Sequence, residues 1–141
     1  MQEETVLHRW FDEVWNNKRE SAIDELLAAD SIHHGLGGPE GQVMRGTADF
    51  KQFHRAFLAA FPDLEVTVED VVSDGRKFVA RCTVRGTHTG EGLPIAPTGR
   101  RIEFTGIGMC IYEDGKFVEV WNEYDFMKMY SQLGVLSLNL E

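Results

Sequence analysis

Three features are scarce in this sequence of 141 residues: cysteine, basic side chains and long apolar runs. Fourteen Lys and Arg residues stand against 23 Asp and Glu residues, so the formal net charge is −9 and binding to nucleic acids or to anionic membranes is not expected. No apolar run approaches the ~20 residues that a membrane-spanning helix needs. The two cysteines, Cys82 and Cys110, are too few for a disulfide framework and are expected to be small buried apolar residues.

The length and the acidic start of the sequence indicate the number of domains and the cellular location of the protein. Residues 1–5 do not resemble the start of a secretory signal peptide, and together with only two thiols they predict a cytoplasmic location. The length is typical of one compact domain, which buries enough surface to fold without a metal or a disulfide. We therefore predict one domain over 1–141, with a tail at 135–141 that is either mobile or paired with another segment.

Apolar residues recur at helical spacing in the first half of the chain. The spacing predicts a helix over 3–16, a second over 21–29, and a third over 47–61 that carries an aromatic stripe. The segment 35–46 holds five glycines and a proline and is predicted to be a loop.

After residue 62 the apolar period changes to two, which is typical of strands. The predicted strands begin at Leu64 and then cover 77–86, 100–112 and 117–125, and a last helix covers 126–133. Helices first and hairpin strands afterwards predict an α+β fold. We expect a curved antiparallel sheet forming a cone-like barrel, with the N-terminal helices over its mouth and a ligand cavity inside.

Several short motifs resemble the SnoaL-like polyketide cyclases, within the nuclear transport factor 2-like and ketosteroid isomerase-like superfamily. The resemblance covers about 4–134. Its motifs are Phe11-Asp12-Glu13-Val14-Trp15-Asn16, Asp30-Ser31-Ile32-His33-His34, Ala60-Phe61-Pro62-Asp63-Leu64, Gly86-Thr87-His88-Thr89-Gly90, Pro97-Thr98-Gly99-Arg100-Arg101, Glu113-Asp114-Gly115-Lys116, Trp121 with Asp125, and Gln132-Leu133-Gly134.

The resemblance implies an α+β barrel that is usually oligomeric and has a deep apolar pocket. It also implies intramolecular aldol cyclisation without a metal or an organic cofactor. The acid/base carboxylate of the family falls on Asp125 and the family's histidine after the second helix falls on His34. Two departures stand out: Val120 replaces a histidine that is frequent in the family, and 105–112 is almost entirely apolar where characterised cyclases carry polar residues.

Asp125 is the predicted base. Removing a proton from carbon beside a carbonyl needs a base near that carbon and a donor for the enolate oxygen. Strand alternation places Asp125 on the side of Phe117 and Trp121 unless a bulge intervenes, and the Trp121 ring would then raise the pKa of the carboxyl group above ~3.9. The alternative is that Asp125 is the N-cap of the helix at 126–133, and both roles are compatible.

His34 and Glu123 are the other polar candidates. His34 is expected to donate to a carbonyl oxygen or to position Asp125; alternatively it is a half-buried histidine bonded to loop backbone. Glu123 is either a second carboxylate of an acid/base pair or a surface residue at a strand end. His33 is expected to point away from the site.

Aromatic side chains are expected to line a pocket for a flat ligand, although ordinary core packing explains most of them equally well. The residues selected as ligand contacts are Phe53, Phe57, Met109 and Trp121. The five histidines lack the paired spacing of metal ligands, so no metal and no cofactor are predicted.

Three functions remain open from the sequence. The first is an acid/base enzyme acting on a hydrophobic, carbonyl-bearing small molecule. The second is a binding protein that holds such a ligand without reaction, which the apolar segment 105–112 and Val120 favour. The third is a dimeric scaffold, because one face of the strand at 77–86 must point away from the helices and sheet-on-sheet packing would cover it.

Overall fold

The computed structural model describes residues 4–37 and 41–135. The predicted tail at 135–141 lies outside the described residues, apart from Val135. In the described ranges, none of the helices has the length and apolar character required to cross a membrane.

Four helices pack on one side of a sheet. They are α1 (Val6–Trp10), which continues as a π-helical segment (Phe11–Asn16), α2 (Ser21–Leu26), α3 (Gly46–Ala60) and α4 (Phe126–Gln132). Thr5 caps α1, because its hydroxyl accepts from the backbone N–H groups of Leu7 and His8. The aromatic stripe of α3 faces the sheet, so burial of apolar surface holds this short helical layer in place.

The six strands form one curved sheet that does not close. They are β1 (Leu27–Gly37), β2 (Gln42–Arg45), β3 (Glu65–Ser73), β4 (Lys77–Thr87), β5 (Arg101–Glu113) and β6 (Lys116–Tyr124). Their order is β2-β1-β6-β5-β4-β3, and all neighbours are antiparallel except β1 and β6. The predicted α+β class with a curved sheet is confirmed.

Two local predictions were wrong. The second helix ends at Leu26 rather than at residue 29, and the segment 35–46 holds the end of β1 and all of β2 instead of a loop. The sequence of β1 contains alanine, aspartate and glycine and no clear alternation, so its strand character comes from pairing with β6, some 90 residues away in the chain. The sequence pattern within β1 gives no indication of pairing with a strand so far along the chain.

Side chains along β4 alternate between the two faces of the sheet, as the sequence pattern predicts. Phe78, Ala80, Cys82 and Val84 are buried on the inner face under the helices. Val79, Arg81 and Arg85 lie on the outer face, which no helix of the described chain covers.

Both cysteines are buried free thiols on this inner face. Burial raises the pKa of the Cys82 thiol to about 11 and that of Cys110 to about 12, so both are protonated at neutral pH.

Candidate functional site

An apolar cavity of about 80 Å³ lies between the inner face of the sheet and the helices. Residues of α1, the π-helical segment, α3 and the inner positions of β4, β5 and β6 surround it. The aromatic side chains in its wall are Trp10, Phe11, Trp15, Phe50, Phe53, Phe57, Phe104, Phe117, Tyr124 and Phe126. An aromatic wall of this kind suits a flat hydrophobic ligand.

Few polar side chains reach the cavity. They are His33 from β1, and Asn122 and Tyr124 from β6. The Asn122 side chain also donates from Nδ2 to the backbone oxygen of His34 at 2.9 Å, which fixes the amide in the wall. Ligand sites commonly combine a mostly apolar surface with a small number of convergent polar groups.

A β-bulge decides which side of β6 faces the cavity. Ile111 pairs with Glu119, but the next residue along β5, Tyr112, pairs with Phe117, so Val118 is an extra residue in β6. Phe117 therefore faces inward, whereas Trp121, four residues later, faces outward. The expectation that Phe117, Trp121 and Asp125 share one side of the strand was wrong for this reason.

Asp125 lies at the start of α4 and is exposed. Its Oδ1 accepts a hydrogen bond from the backbone N–H of Lys128 at 3.0 Å, which makes it the N-cap of the helix. The carboxyl group does not line the cavity. The structure thus shows the capping role of Asp125, and its catalytic role stays a prediction.

His34, Trp121 and Glu119 come together on the outer face of the sheet. The His34 ring stacks on Trp121 with centroids 5.2 Å apart, and its Nε2 lies 2.7 Å from Oε2 of Glu119. Met109 pairs with Trp121 across β5 and β6 on the same face. Glu123 is exposed on this face as well.

Phe53 and Phe57 are the selected ligand contacts that do line the cavity. Both belong to α3, and their rings stack with centroids 5.5 Å apart. Phe53 is partly exposed and Phe57 is buried, so Phe53 lies nearer the protein surface.

His33 is the site residue that sequence reasoning set aside. It is buried, its ring lies 5.0 Å from the ring of Phe50, and its Nε2 lies 2.9 Å from Oγ of Ser31. Burial, together with a smaller effect of nearby His34, lowers the pKa of His33 from 6.5 to about 4, and Asp49 opposes the shift. The imidazole is therefore neutral at physiological pH. An extended segment puts His33 and His34 on opposite sides of β1, and only the pairing of His33 with Val120 and of His34 with Trp121 decides that His33 is the one facing the cavity.

Tyr124 packs its ring against the backbone of β5 at Gly106. A Cβ at Gly106 would lie 2.4 Å from the Tyr124 ring, so only glycine fits this position. Burial raises the pKa of Tyr124 well above 10. With a protonated phenol, a protonated Cys110 thiol and a neutral His33, the titratable groups that line the cavity carry no charge at neutral pH.

The described ranges contain no group of three or more His, Cys, Asp or Glu side chains arranged to hold a metal ion.

The curved open sheet with helices over one face defines an α+β protein with the ketosteroid isomerase-like fold. The chain belongs to the SnoaL-like polyketide cyclase family, whose profile matches residues 5–133. This confirms the resemblance found in the motifs. Comparison with curated proteins gave no match.

Solved structures support the same assignment. IdmH from Streptomyces antibioticus, a candidate polyketide cyclase, is 32% identical, with a TM-score of 0.77 over 92% of this chain and 96% of IdmH. AclR from Streptomyces galilaeus, a candidate hydroxylase, is 27% identical, with a TM-score of 0.80 over 96% of this chain and 87% of AclR. A protein with a ketosteroid isomerase-like fold from Catenulispora acidiphila, solved with trimethylamine, is 15% identical with a TM-score of 0.76, covers 96% of each chain, and supports the fold alone.

Proposed function

We propose that the chain binds an uncharged, carbonyl-bearing hydrophobic molecule in the cavity and catalyses acid/base proton transfer on it, without a metal or organic cofactor. An aldol-type cyclisation is the reaction class that membership of the cyclase family favours. The observation that carries the proposal is the aromatic cavity whose few polar groups, His33, Asn122 and Tyr124, are uncharged at neutral pH.

The chemistry follows from the environment of the cavity. An apolar wall excludes water, and a hydrogen bond to the developing enolate oxygen is stronger there than in solvent. The Asn122 amide nitrogen carries two hydrogens, of which one bonds the backbone of His34, so the other is available to a ligand oxygen. An unpaired charge on the ligand would be costly in such a site, which favours a neutral substrate.

The size of the cavity limits the ligand. Its volume of about 80 Å³ is roughly half of the ~150 Å³ cavity that accommodates benzene in a well-studied engineered protein. A multi-ring substrate therefore requires the wall to move. Leu36, Phe53 and Phe126 line the cavity and are only partly buried, so they are the side chains whose rotation widens it at least cost.

Filling the cavity tests the proposal. Gly108 lines it, and a Cβ there would lie 3.7 Å from the backbone oxygen of Trp121, an ordinary contact. Gly108→Val places its methyl groups in the ligand space, whereas Thr105→Val, on the exposed face of the same strand, is the matched control. Titration with a series of ketones from cyclohexanone to tetralone, followed by quenching of Trp10 and Trp15 fluorescence, should show binding to the wild type and the control only. Equal affinity in Gly108→Val would contradict the proposal.

Binding without reaction is the second candidate function. The uncharged cavity and the apolar segment 105–112 favour it, because neither supplies an ionised base. A ligand that is bound tightly and recovered chemically unchanged after long incubation would support this alternative.

We also propose that the chain forms a homodimer through the outer face of the sheet. Ile107 lies at the centre of this face, is 48% exposed, and pairs with Arg81 on one side and Glu123 on the other. A two-fold axis along β5 would place Arg81 of one copy against Glu123 of the other, with Ile107 and Met109 between them. Self-complementary charges around an apolar centre are what a two-fold interface requires.

A further inference from the structure

His33 and Ser31 form a buried polar pair on the inner face of β1. They are two residues apart in an extended strand, so their side chains point the same way, and Nε2 of His33 lies 2.9 Å from Oγ of Ser31. Both residues are buried, but only His33 lines the cavity. Ser31 therefore holds the imidazole without itself reaching a ligand.

We propose that His33, positioned by Ser31, takes the proton from the substrate carbon. This inference rests on the proposed function and names the residue for it. The geometry supports His33 because, of the residues that line the cavity, it is the one whose side chain is a neutral base, and Ser31 holds its ring in place.

The proton transfer balances within the site. The C–H bond breaks, its electron pair passes to a carbonyl oxygen as an enolate, and the proton forms an N–H bond on the His33 ring. Asn122 lies two residues after Val120, the partner of His33 on β6, and its second N–H serves in this proposal as the donor to that oxygen. In an aldol closure the enolate carbon then forms the C–C bond to the carbon of a further carbonyl group elsewhere in the molecule, and the resulting alkoxide takes the proton back from His33.

The environment of His33 limits the carbon acids from which it can take a proton. Burial among Phe50 and other apolar groups holds the pKa of His33 at about 4, so the ring is a weak base. A weak base removes protons at a useful rate only from carbon acids that two carbonyl groups have already activated, because proton transfer is fastest when the two pKa values are close. Simple monoketones are therefore expected to bind but not to react.

Hydrogen–deuterium exchange on a small probe tests the assignment. Ethyl 2-methylacetoacetate has one carbon-bound hydrogen between a ketone and an ester, and its exchange in D2O is followed by NMR. Wild-type protein and the outer-face control Thr105→Val should accelerate the exchange. His33→Gln should reduce the acceleration by ~100-fold or more, the low end of general acid–base contributions, while probe affinity is kept. Ser31→Ala should lower the exchange rate with little change in affinity, and Ser31→Thr should restore it.

The outcomes separate the two proposals. No acceleration by the wild type would overturn the proposed function. Acceleration that survives in His33→Gln and disappears in Asp125→Asn would overturn the inference alone, since asparagine preserves the α4 cap. If His33→Gln does not fold by circular dichroism, the wild type supplies the test: ethyl 2,2-dimethylacetoacetate, which lacks the exchangeable hydrogen, should shift the His33 ring resonances. Unchanged resonances at saturating analogue would equally overturn it.

Discussion

Burial sets the protonation state of each ionisable side chain around the cavity. The Cys110 thiol and the Tyr124 phenol keep their protons because an apolar wall disfavours their anions. The same burial lowers the pKa of His33, because the apolar wall disfavours the imidazolium cation, so this side chain is neutral. One physical cause thus produces an uncharged cavity from three chemically different side chains.

The lowered pKa of His33 predicts acid destabilisation in a defined window. The unfolded chain binds a proton at His33 near pH 6.5, but the folded protein binds it only near pH 4, so the unfolded state holds more protons between these values. The free energy of unfolding should therefore be fully retained above pH 6.5 and fall by about 3 kcal/mol as the pH drops to 4. Urea unfolding of wild type and His33→Gln across this range measures the contribution.

In His33→Gln the free energy of unfolding should fall less steeply as the pH drops from 6.5 to 4, but it should still fall. Burial also lowers the pKa of His54, which contributes with the same sign. Hydrogen bonds from Arg9 and Arg19 lower the pKa of Glu13. Carboxylates of this kind therefore lose their contribution to the free energy of unfolding only at lower pH. An identical slope in both proteins would show that His33 is not a buried neutral group.

Side-chain hydrogen bonds attach the π-helical segment to α3 and to β3. His54 on α3 donates from Nε2 to the backbone oxygen of Val14 at 2.7 Å, inside the π-helical segment. Asn16, at the end of this segment, makes two hydrogen bonds with the backbone of Val66: Nδ2 donates to the oxygen at 2.9 Å and Oδ1 accepts from the N–H at 2.7 Å. The amide thereby pairs with the edge of β3 as a neighbouring strand would.

Loss of the Asn16 amide should release the edge of β3. Asn16→Ala removes both bonds to Val66 and should cost about 1–3 kcal/mol, since two partly buried backbone groups lose their partners. Asn17→Ala, at the exposed neighbouring position, should change stability by no more than ~0.5 kcal/mol. Urea unfolding measures both variants, and amide exchange at Val66 should become faster only in the first. Equal effects of the two substitutions would refute the strand-like role of Asn16.

Among the described residues, helices cover only one face of the sheet, so the molecule is asymmetric. The inner face is apolar and packed, whereas the outer face presents Ile107, Met109 and the His34–Trp121 stack among charged residues. A partly apolar, uncovered sheet face is typical of an interface between copies.

Light scattering on a gel-filtration column should give a mass near twice the 16.0 kDa of one chain. Ile107→Glu should convert the protein to the monomer, because a two-fold axis through the centre of the face places the two new carboxylates together. Met127→Glu, at a 57% exposed apolar residue on α4, is the control and should leave the dimer intact. A wild type that elutes as one 16.0 kDa species at all concentrations would contradict the proposed interface.

The sequence by itself determined the α+β class, the aromatic stripe of α3 and the alternation of β4, because these depend on spacing between residues close in the chain. The family also followed from local motifs. The tertiary structure alone decided that β1 is a strand, since its partner β6 lies far along the chain. It also decided, through the bulge at Val118, that Trp121 and Glu123 face outward. A single extra residue reverses every later side chain in a strand, which is why Asn122 of β6 lines the cavity and Asp125 does not.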